Sequence, residues 1–340
     1  MSPSIRRRTL AVLGIAGLAA AATGLWGRWA TDRRAKSTPQ ALTLAVSKAY
    51  IGSGLIAIAD QRGYFADQGL QVTVQPHTSG RTALEAMLAG RADMATVGDT
   101  PFMFAVARGQ PAVILATLAT VVRSHGVVAR RDHGINALAD LRGKQVGLTV
   151  GTDADYLLSV LLAANRIEPR SVRIAPLKPE ELAPALAAGG VDAVATWDPW
   201  LSTARKGLAS QALSFFGEHG FAFWFHLAGR REAIAADPQV PVKVLRALAQ
   251  AEQFLKDQPE GGRAIVAAAT AGDAAIFAES WPRYDLKLKL PQALLTMLED
   301  QTRWAQANGH LEAGPMPNFL DAIHLQAMLA VQPDAVSIVR

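Results

Sequence analysis

Short apolar runs and stretches of helical period alternate along this chain from about residue 42 onward. Runs at 42–46, 72–75, 94–97, 112–119, 127–129, 145–149 and 193–196 are too short for helices and predict strands. Between them, stretches at about 55–63, 81–89, 101–108, 152–165 and 180–188 read as helices, and 136–144 as a short one. In the 152–165 helix the apolar face is expected to run through Leu157, Val160, Leu161 and Ala164. The segment 215–225 is dense in aromatics, with Phe215, Phe216, Phe221, Phe223, Trp224 and Phe225, and reads as a strand. The remainder is helical at 241–257, 259–269 and 291–308, with a tail near 319–330. Such alternation predicts an α/β fold in which sheets are flanked by helices.

One pattern occurs twice. In the first copy a helix stops at Gly90, Asp93 follows, an apolar strand runs to Val97, and Asp99 closes it before Thr100 and Pro101. In the second copy Gly189, Asp192, the strand 193–196, Asp198 and Pro199 repeat that order. Gly90 and Gly189 suit the left-handed position that ends a helix, where a Cβ would clash. Two copies predict two lobes built alike. Residues 121–126 read as the crossing into the second lobe and 215–225 as the return. The expected division is therefore a leader and linker at 1–36, a first lobe at 37–123 and 223–340, and a second lobe at 124–222.

Ligands of open α/β sheets collect outside the carboxyl ends of strands. Gly98, Asp99 and Thr100 stand there in one lobe, and Trp197 with Asp198 in the other. Two further helix starts, Ser79–Gly80 and Thr152–Asp153, aim backbone N–H groups and a helix dipole at the same region, which favours an anion. The alternative is that these are ordinary turns whose aspartates cap the following helices. A carboxylate at Asp153 also repels an anion unless the cap occupies it.

Composition narrows the partners. Hydrophobic residues make up 50% and charged residues 19%, which is globular rather than disordered. The formal charge of +5 comes from the N-terminus; residues 37–340 carry 27 basic against 28 acidic residues, so nothing there argues for nucleic acid. The absence of cysteine excludes disulfides, thiolate metal sites, cysteine nucleophiles and a lipoprotein anchor. Arg6-Arg7-Arg8 ahead of an apolar run to Leu25 predicts a twin-arginine-type export signal, cleaved near Ala20–Ala22 or retained as an anchor, and hence a periplasmic location.

Gly52-Ser53-Gly54-Leu55-Ile56-Ala57 matches a dinucleotide fingerprint, but its glycines come too late after the strand and no acid closes the next strand. No G-x-S-x-G elbow or H-E-x-x-H helix occurs, and the seven histidines lack metal-ligand spacing. Neither a catalytic residue, a metal site nor a cofactor is expected.

Several motifs in order, Ala59-Asp60-Gln61-Arg62-Gly63-Tyr64-Phe65, Gly98-Asp99-Thr100-Pro101, Asp140-Leu141-Arg142-Gly143-Lys144 and Trp197-Asp198-Pro199-Trp200, resemble the periplasmic binding proteins of ABC importers for aliphatic sulfonates, taurine and nitrate. The resemblance spans about 41–320. It implies a type II fold of two α/β lobes joined by two crossings, a monomer that closes over a small organic anion, most readily an aliphatic sulfonate, and an ABC permease as partner. It implies ligand contacts from Tyr50, Gly52, Ser53, Ser79, Gly80, Gly98, Asp99, Thr100, Gly151, Thr152, Asp153, Trp197 and Asp198, with Tyr156 beside them. Arg81 or Arg123 would add charge, and Trp197 with Trp224 would cover an organic tail. Nitrate, taurine or another amine or heterocyclic solute, a ligand-sensing role, and a sulfur-ester- or sulfinate-cleaving enzyme are the alternatives; the last would need a nucleophilic cysteine.

Overall fold

A computed structural model describes residues 38–48, 50–217, 222–270 and 272–339. The expected leader at 1–36, and Phe221 of the aromatic segment, lie outside these residues. Eleven strands are present among those described: β1 (Gln40–Ser47), β2 (Leu70–His77), β3 (Met94–Gly98), β4 (Ala112–Val122), β5 (His125–Arg130), β6 (Gln145–Leu148), β7 (Arg173–Pro176), β8 (Ala193–Trp197), β9 (Ala212–Phe215), β10 (Ala222–Arg230) and β11 (Tyr284–Lys289).

They form two sheets, one in the order β11-β4-β10-β3-β1-β2 and one in the order β7-β6-β8-β5-β9. We call each sheet with its helices a lobe. β4 reads AVILATLATVV, apolar but for Thr117 and Thr120, because it is a central strand paired with β10 and β11 and buried over most of its length. It ends three residues beyond the run expected at 112–119. After Arg123 and Ser124 the chain enters the second sheet at His125, and it re-enters the first at β10.

The repeated pattern has a shared structural basis. Gly90 and Gly189 both adopt left-handed φ, 75° and 77°. Asp93 then accepts from the Thr43 N–H at 2.7 Å and Asp192 from the Gln145 N–H at 2.8 Å, so each ties the entry of its strand to the parallel neighbour, β1 or β6. The strands are parallel on one side only, since β10 runs antiparallel to β3 and β5 antiparallel to β8.

The helix Asp153–Ala164 packs on the second sheet through Leu157, Leu158, Leu161 and Leu162, while Ala154 joins the core of the first. Its buried face is therefore rotated from the expected one: Val160 is half-buried and Ala164 exposed. Leucine pairs at successive turns bury more apolar area than Val160 and Ala164 would, and set the rotation. The segment expected as a helix at 136–144 is a single 3₁₀ turn, Leu138–Leu141, capped by Asp140. The tail breaks into a 3₁₀ turn, Phe319–Ala322, and a short helix, Leu325–Leu329.

Candidate functional site

Three helices begin beside one another, at the carboxyl ends of strands or just beyond. Their N-cap residues are Ser79 for Gly80–Leu88, Gly98 for Asp99–Ala107 and Thr152 for Asp153–Ala164. All three N-caps line a single cavity with Ser47, Tyr50, Gly80, Arg81, Pro101, His125, Asp153, Trp197 and Phe225. Helix N-termini leave backbone N–H groups without intrahelical partners, so their convergence makes a concave, positively polarised surface. Gly80 is needed there because a Cβ would come within 3.1 Å of the Val97 Cα and of the Phe225 ring. Residues from both sheets contribute, and the aromatic wall is built from Tyr50, Phe225 and Trp197, with Tyr50 and Phe225 edge to face at 4.6 Å.

The cavity measures about 30 Å³. That is the scale of single waters, not of an organic solute. Two bonds cross between the lobes at this point. The Arg81 guanidinium donates to the Val150 carbonyl at 2.6 Å, and the Thr100 N–H donates to the Asp153 carboxylate at 2.7 Å. The second occupies the helix N-terminus expected to hold an anion. Gly98 makes room for it, since a Cβ there would collide with the Asp153 carboxylate.

Burial dominates the electrostatics. It pushes the Asp153 carboxyl up to about 7, the nearby Asp99 adds to this, and the Thr100 N–H works against it. Burial pushes the His125 imidazole down to about 3, so it is neutral across the physiological range. The Tyr50 phenol is raised by burial and then by Asp153, and stays protonated while hydrogen-bonded with Tyr284 and Ser124. Ser124 Oγ also lies 3.0 Å from His125 Nδ1.

Of the residues singled out from sequence, Tyr50, Ser79, Gly80, Arg81, Gly98, Thr152, Asp153 and Trp197 come together here. The others do not line this cavity. Asp99 is fully buried and neither caps a helix nor faces the cleft: it accepts from the Trp224 N–H at 2.8 Å and lies 2.9 Å from His226 Nε2, pinning β10. Trp224 is held by that bond. Asp198 accepts from the Ser202 N–H and hydroxyl, from the Ser280 hydroxyl and from Arg283, which is both the cap expected of it and an anchor for the chain ahead of β11. Thr100 gives its N–H to the seat. Ser53 donates to the Ser47 carbonyl, and Gly52 is small because a side chain would strike the Tyr50 ring.

Arg123 adopts a left-handed φ of 54° and lays its guanidinium over Phe216 at 4.8 Å. Tyr156 packs edge to face on Trp304 at 5.2 Å. Gly151 lines a neighbouring cavity of about 590 Å³ with Arg81, Pro101, Phe104, Arg108 and His310. Sequence reasoning missed Ser47, Pro101, His125 and Phe225. His125 was findable, because it follows the crossing directly, and Phe225 sat in the aromatic segment.

Comparison with known proteins decides the family. Residues 53–262, more than half of the chain, match the NMT1/THI5-like model. The chain belongs to the NMT1/THI5-like family. It is 27% identical over 216 residues to a binding protein of Brucella abortus (strain 2308), a match covering 62% of this chain, and it spans 66% of that relative's length. It is 26% identical over 233 residues to a protein of Escherichia coli (strain K12) provisionally named an aliphatic sulfonates-binding protein, covering 68% of this chain and 72% of that one. The alkanesulfonate-binding protein SsuA from Xanthomonas axonopodis pv. citri, solved bound to MOPS, superposes with a TM-score of 0.73 at 23% identity, over 85% of this chain and 99% of that one. The desulfurization enzyme DszB superposes at 0.60 and 14% identity, over 87% and 99%. The family member described here therefore has the two-lobed α/β fold of the periplasmic binding proteins. That fold also carries an enzyme, so it does not by itself assign a function. Among the described residues, no helix is long and apolar enough to cross a membrane.

Proposed function

We propose that this protein is the exported solute-binding component of an ABC importer and captures a small organic anion, an aliphatic sulfonate, by closure of its lobes. The observation that carries this reading is the convergence of the Ser79, Gly98 and Thr152 helix N-termini with three aromatic rings on one inter-lobe cavity. Backbone N–H groups would cradle the oxyanion, Tyr50, Trp197 and Phe225 would cover the organic part, and closure would exclude water and strengthen each bond. The solute is bound and not transformed: no cysteine is present to attack a sulfur centre. The closed monomer is what a membrane permease would engage. Deleting the gene should abolish uptake of a labelled alkanesulfonate and growth on it as sole sulfur source; normal uptake with an altered transcriptional response would instead make the protein a sensor.

A second reading is favoured by one observation. Asp153 places a carboxylate on the same cavity as the Tyr50, Trp197 and Phe225 rings, where the amine of taurine, or another amine or heterocycle, would find a partner. Preferential binding of such solutes over simple sulfonates would select it.

A further inference from the structure

Resting on the reading that the cleft takes an organic anion, we propose that Asp153 is the residue that sets its anion selectivity, acting as an internal occupant of the oxyanion seat that a ligand must neutralise or displace. The seat is the start of the helix Asp99–Ala107, and its Thr100 N–H is already bonded at 2.7 Å to a carboxylate from the opposite lobe. The carboxylate fits against Gly98, where any side chain would exclude it. It is an anion of the shape and charge the seat is built to receive, delivered by the protein itself.

The consequence follows from charge. A sulfonate bound among these N–H groups would lie against Asp153, and two anions in one water-excluded cleft cannot both keep their charge cheaply. The surrounding groups offer no compensation. Asp99, on the helix whose start forms the seat, is a further carboxylate; Arg81 is engaged by Glu85 and by the Val150 carbonyl; Asp155 lies two residues along the helix from Asp153 and accepts from the Gly151 N–H. Tyr50 is held protonated and His125 neutral by burial. Asp153, already raised toward neutrality by burial, is the group that takes up a proton when the anion arrives. The linkage sign is fixed: a proton gained on binding makes affinity fall as pH rises, by up to about tenfold per unit above the free carboxyl's pKa.

The test is calorimetric titration of the full chain with butane-1-sulfonate at pH 6, 7, 8 and 9, in two sulfonate-free buffers of different ionisation enthalpy. The wild type should take up close to one proton at pH 8, with affinity about fivefold weaker there than at pH 7 and about ninefold weaker again at pH 9. Asp153→Asn keeps the shape and the acceptor but cannot ionise; it should bind more tightly at pH 8, take up no proton and lose the pH slope, and Asp153→Ser should do the same. Binding by the wild type with no proton uptake, or an unchanged slope in Asp153→Asn, overturns the inference while leaving capture of an anion intact. Failure of wild type and both variants to bind butane-1-sulfonate overturns the sulfonate reading itself.

Discussion

The two turns that close β3 and β8 share a sequence pattern and differ in what they do. Asp93 and Asp192 perform one task in both lobes, and the two left-handed glycines differ by only 2° in φ. Past the strand the lobes diverge. After β8, Asp198 turns back on Ser202 and holds Ser280 and Arg283, which seals the turn with the protein's own groups. After β3, Asp99 turns away toward β10, and the free helix start receives a carboxylate from across the cleft. A repeat in sequence thus reports the scaffold, and the copies stop matching at the cavity that both sheets line.

The largest break in this comparison should come from Asp198→Ala. It strands Arg283 and two serine hydroxyls in a half-buried pocket, and should cost about 3–5 kcal/mol in denaturant unfolding. Asp99→Ala leaves His226 and the Trp224 N–H without an acceptor and should cost less, about 2–3 kcal/mol. The reverse order would mean that β10, not the segment ahead of β11, carries the stronger anchorage.

The cleft predicts opposite pH slopes from its two facing groups. His125 is depressed below its ordinary value, so its contribution is full above about pH 6.5 and is lost as pH falls toward 3. Asp153 is raised, so its contribution is full below about pH 4 and is lost as pH rises through 7. Each group can supply up to about 1.4 kcal/mol per pH unit within its window. Asp153→Asn should flatten stability between pH 5 and 7.5, and His125→Gln should remove part of the acid loss; unfolding free energies across pH 4–8 would check both.

The smallest effects should be the most alike. Gly90→Ala and Gly189→Ala each place a Cβ at positive φ and should cost about 1 kcal/mol, equally in the two lobes. A difference above roughly 1 kcal/mol between them would show that the two helix ends are not equivalent.

Much of the fold was legible because it rests on local chemistry. Glycines end helices, apolar runs make strands, and the positions just past the strands could be named as the cleft. What stayed hidden depends on distant partners. Asp99 reads as a cap or a ligand contact until His226, far along the chain, is seen beside it. Ser47 and Pro101 carried no signal of their own, and in the helix beginning at Asp153 the expected face held at Leu157 and Leu161 but not at Val160 and Ala164, which Leu158 and Leu162 outweigh. The aspartate expected to repel an anion unless occupied is occupied, but by a helix of the other lobe rather than by its own cap.

The most direct test of the central claim is the melting temperature of the protein against taurine, linear and aromatic sulfonates, sulfate esters, nitrate, bicarbonate, amines and pyrimidines. Capture of an organic anion predicts stabilisation by sulfonates, about 2.7 kcal/mol at a hundred times the dissociation constant, graded by tail length. Stabilisation by an amine or heterocycle, with none by any anion, would contradict it.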